Sequence, residues 1–62
     1  MFELQSKDFT PIEKIIKLFT ANNIPFWYCY DWKNEVYSIQ YDEIDNETVL
    51  DELENIAIKY KL

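Results

Sequence analysis

The chain is short and acidic. It has 62 residues, with six basic residues (all lysine) against twelve acidic ones, and a formal net charge of −6. A chain of this length has room for one domain with one hydrophobic core. Hydrophobic residues make up 48% of it and aromatic residues 18%, which is too much apolar surface for a disordered segment. No apolar run approaches the ~20 residues that a membrane-spanning helix needs. We therefore expect a single acidic domain over residues 1–62, with no membrane partner.

The first elements predicted along the chain are a strand and an amphipathic helix. Residues 2–6 alternate apolar and polar side chains, as the two faces of a strand do. Thr10 is placed to cap a helix, with Pro11 at the first helical position and Glu13 completing a capping box. We predict a helix over residues 11–22, ended by two asparagines. Its apolar stripe consists of Ile12, Ile15, Ile16 and Phe19.

The middle of the chain has the composition of a β-hairpin. Residues 26–32 and 35–41 are dense in aromatic and β-branched residues, which favour strands. The chain has no glycine, so Asn34 is the residue best suited to a positive φ in the turn. Closing the hairpin there pairs Tyr30 with Tyr37 and gathers most aromatic side chains on one face, which we expect to be the inner one. That face consists of Phe26, Tyr28, Tyr30, Trp32, Tyr37, Ile39 and Tyr41.

A second helix is predicted after the hairpin. It is capped by Asp45, Asn46 or Thr48 and extends to about Tyr60. Ile58 lies opposite its apolar stripe. The stripe consists of Val49, Leu50, Leu53, Ile56, Ala57 and Tyr60. The predicted order is β-α-β-β-α, an α+β fold in which two helices cover one face of a small sheet built on the aromatic hairpin.

The residue types present exclude several kinds of catalytic and metal site. Without histidine there is no Ser-His-Asp or Cys-His site and no imidazole ligand, and without glycine there is no glycine-rich phosphate loop. Cys29 lies mid-strand, where a free thiol behaves as a small hydrophobic residue. The acids after residue 42 partly follow the spacing of a calcium loop, but Thr48 stands where that loop needs glycine. We expect neither catalysis nor a bound metal or cofactor.

The single cysteine and the N-terminal residues favour the cytoplasm. Cys29 has no partner in the chain for a disulfide, and residues 1–5 lack the basic and apolar regions of a signal peptide. The composition, which is rich in Asn, Ile, Lys and Tyr, resembles that of small accessory proteins of bacteriophages and mobile elements. That resemblance implies the cytoplasm of a host cell.

The acidic residues are unevenly distributed. Residues 42–54 contain seven acids and no base, whereas the rest of the chain has five acids and six lysines. The seven are Asp42, Glu43, Asp45, Glu47, Asp51, Glu52 and Glu54. Negative charge and the lack of arginine argue against direct nucleic-acid binding, which depends on neutralising phosphates. The leading hypothesis is a non-enzymatic inhibitor or adaptor whose carboxylates mimic phosphates and block a basic surface of a host protein.

Two alternatives remain open. One is an interaction module that self-associates or binds a partner through an exposed apolar patch formed by Trp27, Val36, Ile58 and Leu62. In that case Ile58 and Leu62, on the outer side of the second helix, form the contact of a homodimer. The other is a single-strand binder that stacks bases on the tyrosine face, which the missing positive charge disfavours.

Overall fold

The computed structural model describes all residues from 1 to 62 and confirms the predicted order of elements. Three strands and two helices follow one another as β-α-β-β-α. None of the helices has the length and apolar content to cross a bilayer. The elements are β1 (Phe2–Ser6), α1 (Phe9–Ala21), β2 (Phe26–Asp31), β3 (Val36–Tyr41) and α2 (Glu47–Tyr60).

The three strands form one antiparallel sheet in the order β1-β3-β2. The hairpin has the predicted register, with Tyr30 opposite Tyr37 and Phe26 opposite Tyr41. On the other side of β3, Leu4 of β1 lies opposite Ile39. The crossover through α1 therefore joins two edge strands, and the central strand is the last of the three in the chain.

The core lies between the helices and the face of the sheet that carries Ile39, as predicted. Three members of the predicted inner face, Tyr28, Tyr30 and Trp32, are nevertheless exposed, and Trp32 belongs to the hairpin loop. Eight buried side chains form the core, with half-buried residues packed around them. Two residues of the predicted apolar stripes are not buried: Ile16 of α1 is only half-buried, and Leu50 of α2 is exposed. The eight are Ile12, Ile15, Phe19, Ile39, Tyr41, Ile44, Val49 and Leu53.

The start of α1 differs from the prediction. Asp8, not Thr10, is the N-cap, and its side chain accepts a hydrogen bond of 3.0 Å from the backbone N–H of Thr10. The helix begins at Phe9, so that Pro11 occupies the third helical position. A proline is tolerated there because the first-turn N–H groups have no partner within the helix.

The hairpin turn also differs from the prediction. Glu35, not Asn34, has the positive φ, at 55°. Asp31 organises the loop by accepting hydrogen bonds from the backbone N–H of Lys33 (3.0 Å) and the side-chain amide of Asn34 (2.8 Å). The Asn34 side chain, followed by the backbone N–H groups of Asn34 and Lys33, lowers the pKa of the Asp31 carboxyl. The loop thus has four residues, 32–35, and the last of them, Glu35, adopts the left-handed conformation.

Both helices end in the same way without a glycine. Asn23 (φ 57°) and Lys61 (φ 58°) adopt the left-handed conformation just after α1 and α2. The next backbone N–H then turns back to the helix: that of Ile24 donates to the Phe19 carbonyl and that of Leu62 to the Ala57 carbonyl, each at 2.9 Å. This bonding pattern brings an apolar side chain against the last turn. Ile24 and Leu62 accordingly pack against the core.

The two helices cover the sheet unevenly. Phe19 of α1 contacts the rings of Phe26 and Tyr41, at 6.0 Å and 5.2 Å between centroids, so α1 lies over β3 and the start of β2. The two ends of α2 lie near β1: one recess is lined by Phe2 and Leu50, and the other by residues 5–7 and 60–62. The far part of β2 is covered less: Phe9 of α1 reaches the Tyr28 ring, but Tyr28 and Tyr30 remain partly exposed.

Candidate functional site

The seven acidic residues of segment 42–54 are all exposed. We call the surface that they form the acidic surface. Asp42, Glu43 and Asp45 lie in the loop before α2, and that loop is held to the domain by the buried side chain of Ile44. The other four lie on α2, which Asn46 caps by accepting hydrogen bonds from the backbone N–H groups of Thr48 and Val49. Asn46 is one of the three predicted caps. The carboxylates are thus carried by a loop and a helix that are both anchored.

Three carboxylates form a line on the outer side of α2. Glu47, Asp51 and Glu54 are spaced four and three residues apart, which puts them on one face of the helix about 6 Å and 4.5 Å apart along its axis. Ile58 continues the same face and is 69% exposed. Glu52 points elsewhere, into the groove between the helices that Lys14 also lines.

No lysine neutralises the acidic surface at close range. The one ion pair of the protein joins Lys17 and Glu13 on α1, with 3.5 Å between Nζ and Oε1. None of the seven carboxylates has a cationic nitrogen within 4 Å. Exposed like charges that are close together and unpaired produce a local negative potential, which attracts cations and basic surfaces.

The four residues predicted as an apolar patch do not form one. Trp27, which is 50% exposed, and Val36 lie on the helix-free face of the sheet, whereas Ile58 faces outward from α2 on the opposite side of the domain. Leu62 does not lie beside Ile58, because the left-handed Lys61 turns the chain back and packs Leu62 against the core. Val36 and Leu62 instead line one shallow recess of about 350 Å³ beside the end of β1.

Three tyrosines that were predicted on the inner face of the sheet form a partly exposed aromatic group with Phe9, for which no role was predicted. We call Phe9, Tyr28, Tyr30 and Tyr37 the aromatic cluster. The Tyr37 ring is 4.7 Å from that of Tyr30 and 5.1 Å from that of Phe9, centroid to centroid, and the Phe9 and Tyr28 rings are 6.3 Å apart. Tyr28 and Tyr30 remain 43% and 42% exposed. Partial burial, followed by the neighbouring Tyr37 and Tyr30 hydroxyls, raises the pKa of Tyr28.

The acids are not arranged as metal ligands. No three or more His, Cys, Asp or Glu side chains converge in the structure. From Glu47 onward the acidic segment is helical, so its side chains spread around α2 instead of pointing into a loop. Comparison of the chain with protein-family models, curated proteins and solved structures gives no match.

Proposed function

We propose that this protein is a non-enzymatic inhibitor or adaptor that binds a partner protein through the acidic surface. The observation that carries the proposal is the set of seven exposed carboxylates with no cation within ion-pair distance. A partner with clustered lysine or arginine side chains supplies the missing counter-charges. Charged hydrogen bonds of this kind are stronger than neutral ones, and complementary charge also speeds the encounter of the two proteins.

The outer side of α2 is the part of the acidic surface best suited to replace phosphates. Its carboxylates Glu47, Asp51 and Glu54 follow one line on a helix capped at both ends, so little backbone conformational freedom is lost when a partner binds. Phosphate groups of nucleic acids also form a closely spaced line of negative charge. A protein surface built to bind such a backbone is therefore the partner surface that we propose, and its occupation would exclude nucleic acid. The composition resembles that of small accessory proteins of bacteriophages, and an origin of that kind would fit an inhibitor of a host protein.

Charge reversal in α2 tests the proposal. Glu47, Asp51 and Glu54 are changed together to lysine, which raises the net charge by six units from −6 to zero. The matched control changes Glu3, Glu13 and Glu35 to lysine; these acids are exposed, lie outside segment 42–54, and give the same net charge. Circular dichroism verifies that both variants are folded.

The readout is affinity capture from a lysate of the encoding organism's host, quantified by mass spectrometry. We expect the wild type and the control variant to retain the same partner and the α2 variant to lose it. Raising the salt concentration should weaken the retained complex, because salt screens exposed charges. A partner retained by the α2 variant, or lost equally from both variants, would refute the proposal.

A second candidate is a partner-binding module that uses apolar and aromatic surface. It is favoured by the exposure of β2, all of whose residues after Phe26 are exposed. The binding residues would then be Trp27, Tyr28 and Tyr30 on this strand. Of the four residues of the predicted apolar patch, only Trp27 is among them. A complex held by such contacts persists or strengthens as salt rises, whereas one held by the acidic surface weakens.

A further inference from the structure

Strand β2 has an unpaired outer edge. It lies at the edge of the sheet and pairs only with β3, so half of its backbone N–H and C=O groups point away from any partner strand. Five of its six residues are exposed, and four of those five are Trp27, Tyr28, Cys29 and Tyr30. A free edge with apolar side chains pairs readily with another strand.

The devices that usually block such pairing are missing from β2. The strand contains no lysine and no proline, and its one-to-one register with β3 from Phe26 to Asp31 leaves no bulge. Asp31, at the end of the strand, is its only charge. The opposite edge of the sheet differs in its side chains, because β1 exposes only one aromatic residue, Phe2, whereas β2 exposes three. The two edges are therefore not equivalent.

A second copy of this chain suits β2 as the occupant, because antiparallel self-pairing puts Tyr28 opposite Tyr30. The distribution of charge does not prevent this pairing. The acidic surface belongs to α2 and the preceding loop, on the side of β1. Two copies that meet along β2 keep these surfaces at the far ends of the assembly. Antiparallel pairing of identical strands also places the two Asp31 carboxylates at opposite ends of the contact. Although each chain has a net charge of −6, most of the negative charge lies far from the contact, and salt screens the repulsion over that distance.

We propose that β2 pairs antiparallel with β2 of a second copy and joins the two sheets into one of six strands. The two-fold axis passes near Cys29, which faces Cys29 of the other copy, while Tyr28 lies opposite Tyr30. This register gives every residue from 27 to 31 a partner and leaves Pro25, which has no N–H to donate, outside the ladder. The proposal does not depend on what the acidic surface binds.

The exposed area predicts a weak dimer. A fully buried aromatic side chain covers about 150–250 Å², and the side chains of Trp27, Tyr28 and Tyr30 are each close to half exposed. Their burial removes on the order of 300 Å² per chain from water, or about 600 Å² for the pair, below the roughly 1,200 Å² of small stable interfaces. The dimer should therefore form only at high protein concentration.

Sedimentation equilibrium of the full chain tests the proposal. Between about 20 µM and 1 mM, a range suited to weak interfaces, we expect the average mass to rise from 7.6 kDa towards twice that value. Cys29→Lys puts two cations opposite each other and should keep the protein monomeric throughout. Ile58→Lys makes the same change of charge on the outer face of α2 and should leave the mass curve unchanged. A wild type that stays monomeric at 1 mM, or a dimer lost in Ile58→Lys but kept in Cys29→Lys, would overturn the proposal.

Amide hydrogen exchange of the wild type provides a measurement that needs no variant. On raising the concentration over the same range, the outward-facing amides of residues 27–31 should exchange more slowly, because they become paired. The amides of the loop 42–46 should exchange at an unchanged rate. Exchange in β2 that does not depend on concentration would contradict strand pairing even if the protein dimerises.

Discussion

Ile15 and Ile16 are adjacent isoleucines of α1 with different surroundings, and truncating each to alanine tests the packing of the core. Ile15 is fully buried among the core side chains, whereas Ile16 is half-buried. Replacing a buried isoleucine by alanine costs about 2–5 kcal/mol, through lost burial and the cavity left behind. We expect Ile15→Ala to cost about 3–4 kcal/mol and Ile16→Ala less than half of that. Both substitutions gain the same helix propensity, so their difference reports on packing.

Urea denaturation followed by far-ultraviolet circular dichroism measures the two costs. Tryptophan fluorescence is a poor probe here, because Trp27 and Trp32 are already 50% and 73% exposed in the folded protein. At about 0.05–0.15 kcal/mol per residue, a domain of this size has a free energy of unfolding of about 3–9 kcal/mol. With a denaturant slope of about 1 kcal/mol/M, Ile15→Ala lowers the urea midpoint by about 3–4 M and removes much of that stability. Equal midpoints for the two variants would show that the position of α1 on the sheet is wrong.

Three further predictions concern the helix caps and the hairpin loop. Asp8→Ala should cost about 1 kcal/mol in urea denaturation and Thr10→Ala clearly less, since Asp8 supplies the capping oxygen; the opposite order would restore Thr10 as the cap. Asn46→Ala should cost about 1 kcal/mol as well, and a cost near zero would mean that α2 is capped differently. Because the pKa of Asp31 is lowered in the folded protein, its stabilising effect is present above the ordinary value of 3.8 and is lost as the pH falls through the lowered value. An NMR titration should find its midpoint below 3.8, and a midpoint at or above it would argue against the loop hydrogen bonds.

The local geometry of the fold was largely predictable from sequence. The period-two pattern fixes the hairpin register, because a slip of one residue would turn Ile39 and Tyr41 outward. The start of α1 was less predictable, since Asp8 and Thr10 are both good caps and a proline is accepted anywhere in the first turn. The left-handed Glu35 and Lys61 carry no sequence signal, because such positions favour glycine or asparagine.

The candidate sites were predictable to different degrees. Carboxylates avoid burial, so the exposure of segment 42–54 followed from composition alone. The exposure of Tyr28 and Tyr30 did not, because it depends on strand order: in a central strand the same side chains would be covered. The sequence did contain one indication of this exposure: the aromatic face of the hairpin has more large side chains than two short helices can cover. The placement of Leu62 depends on the backbone turn at Lys61, which the apolar pattern of α2 does not encode.

Carboxyl footprinting of the captured complex tests most directly whether the acidic surface is the binding surface. Carbodiimide coupling of an amine labels exposed carboxylates, and mass spectrometry locates the labels in the free and the bound protein. We predict that labelling of Glu47, Asp51 and Glu54 falls several-fold in the complex, while Glu13 and Glu35 react as before. Undiminished labelling of the three acids of α2 in a complex that is demonstrably intact would contradict the proposed function.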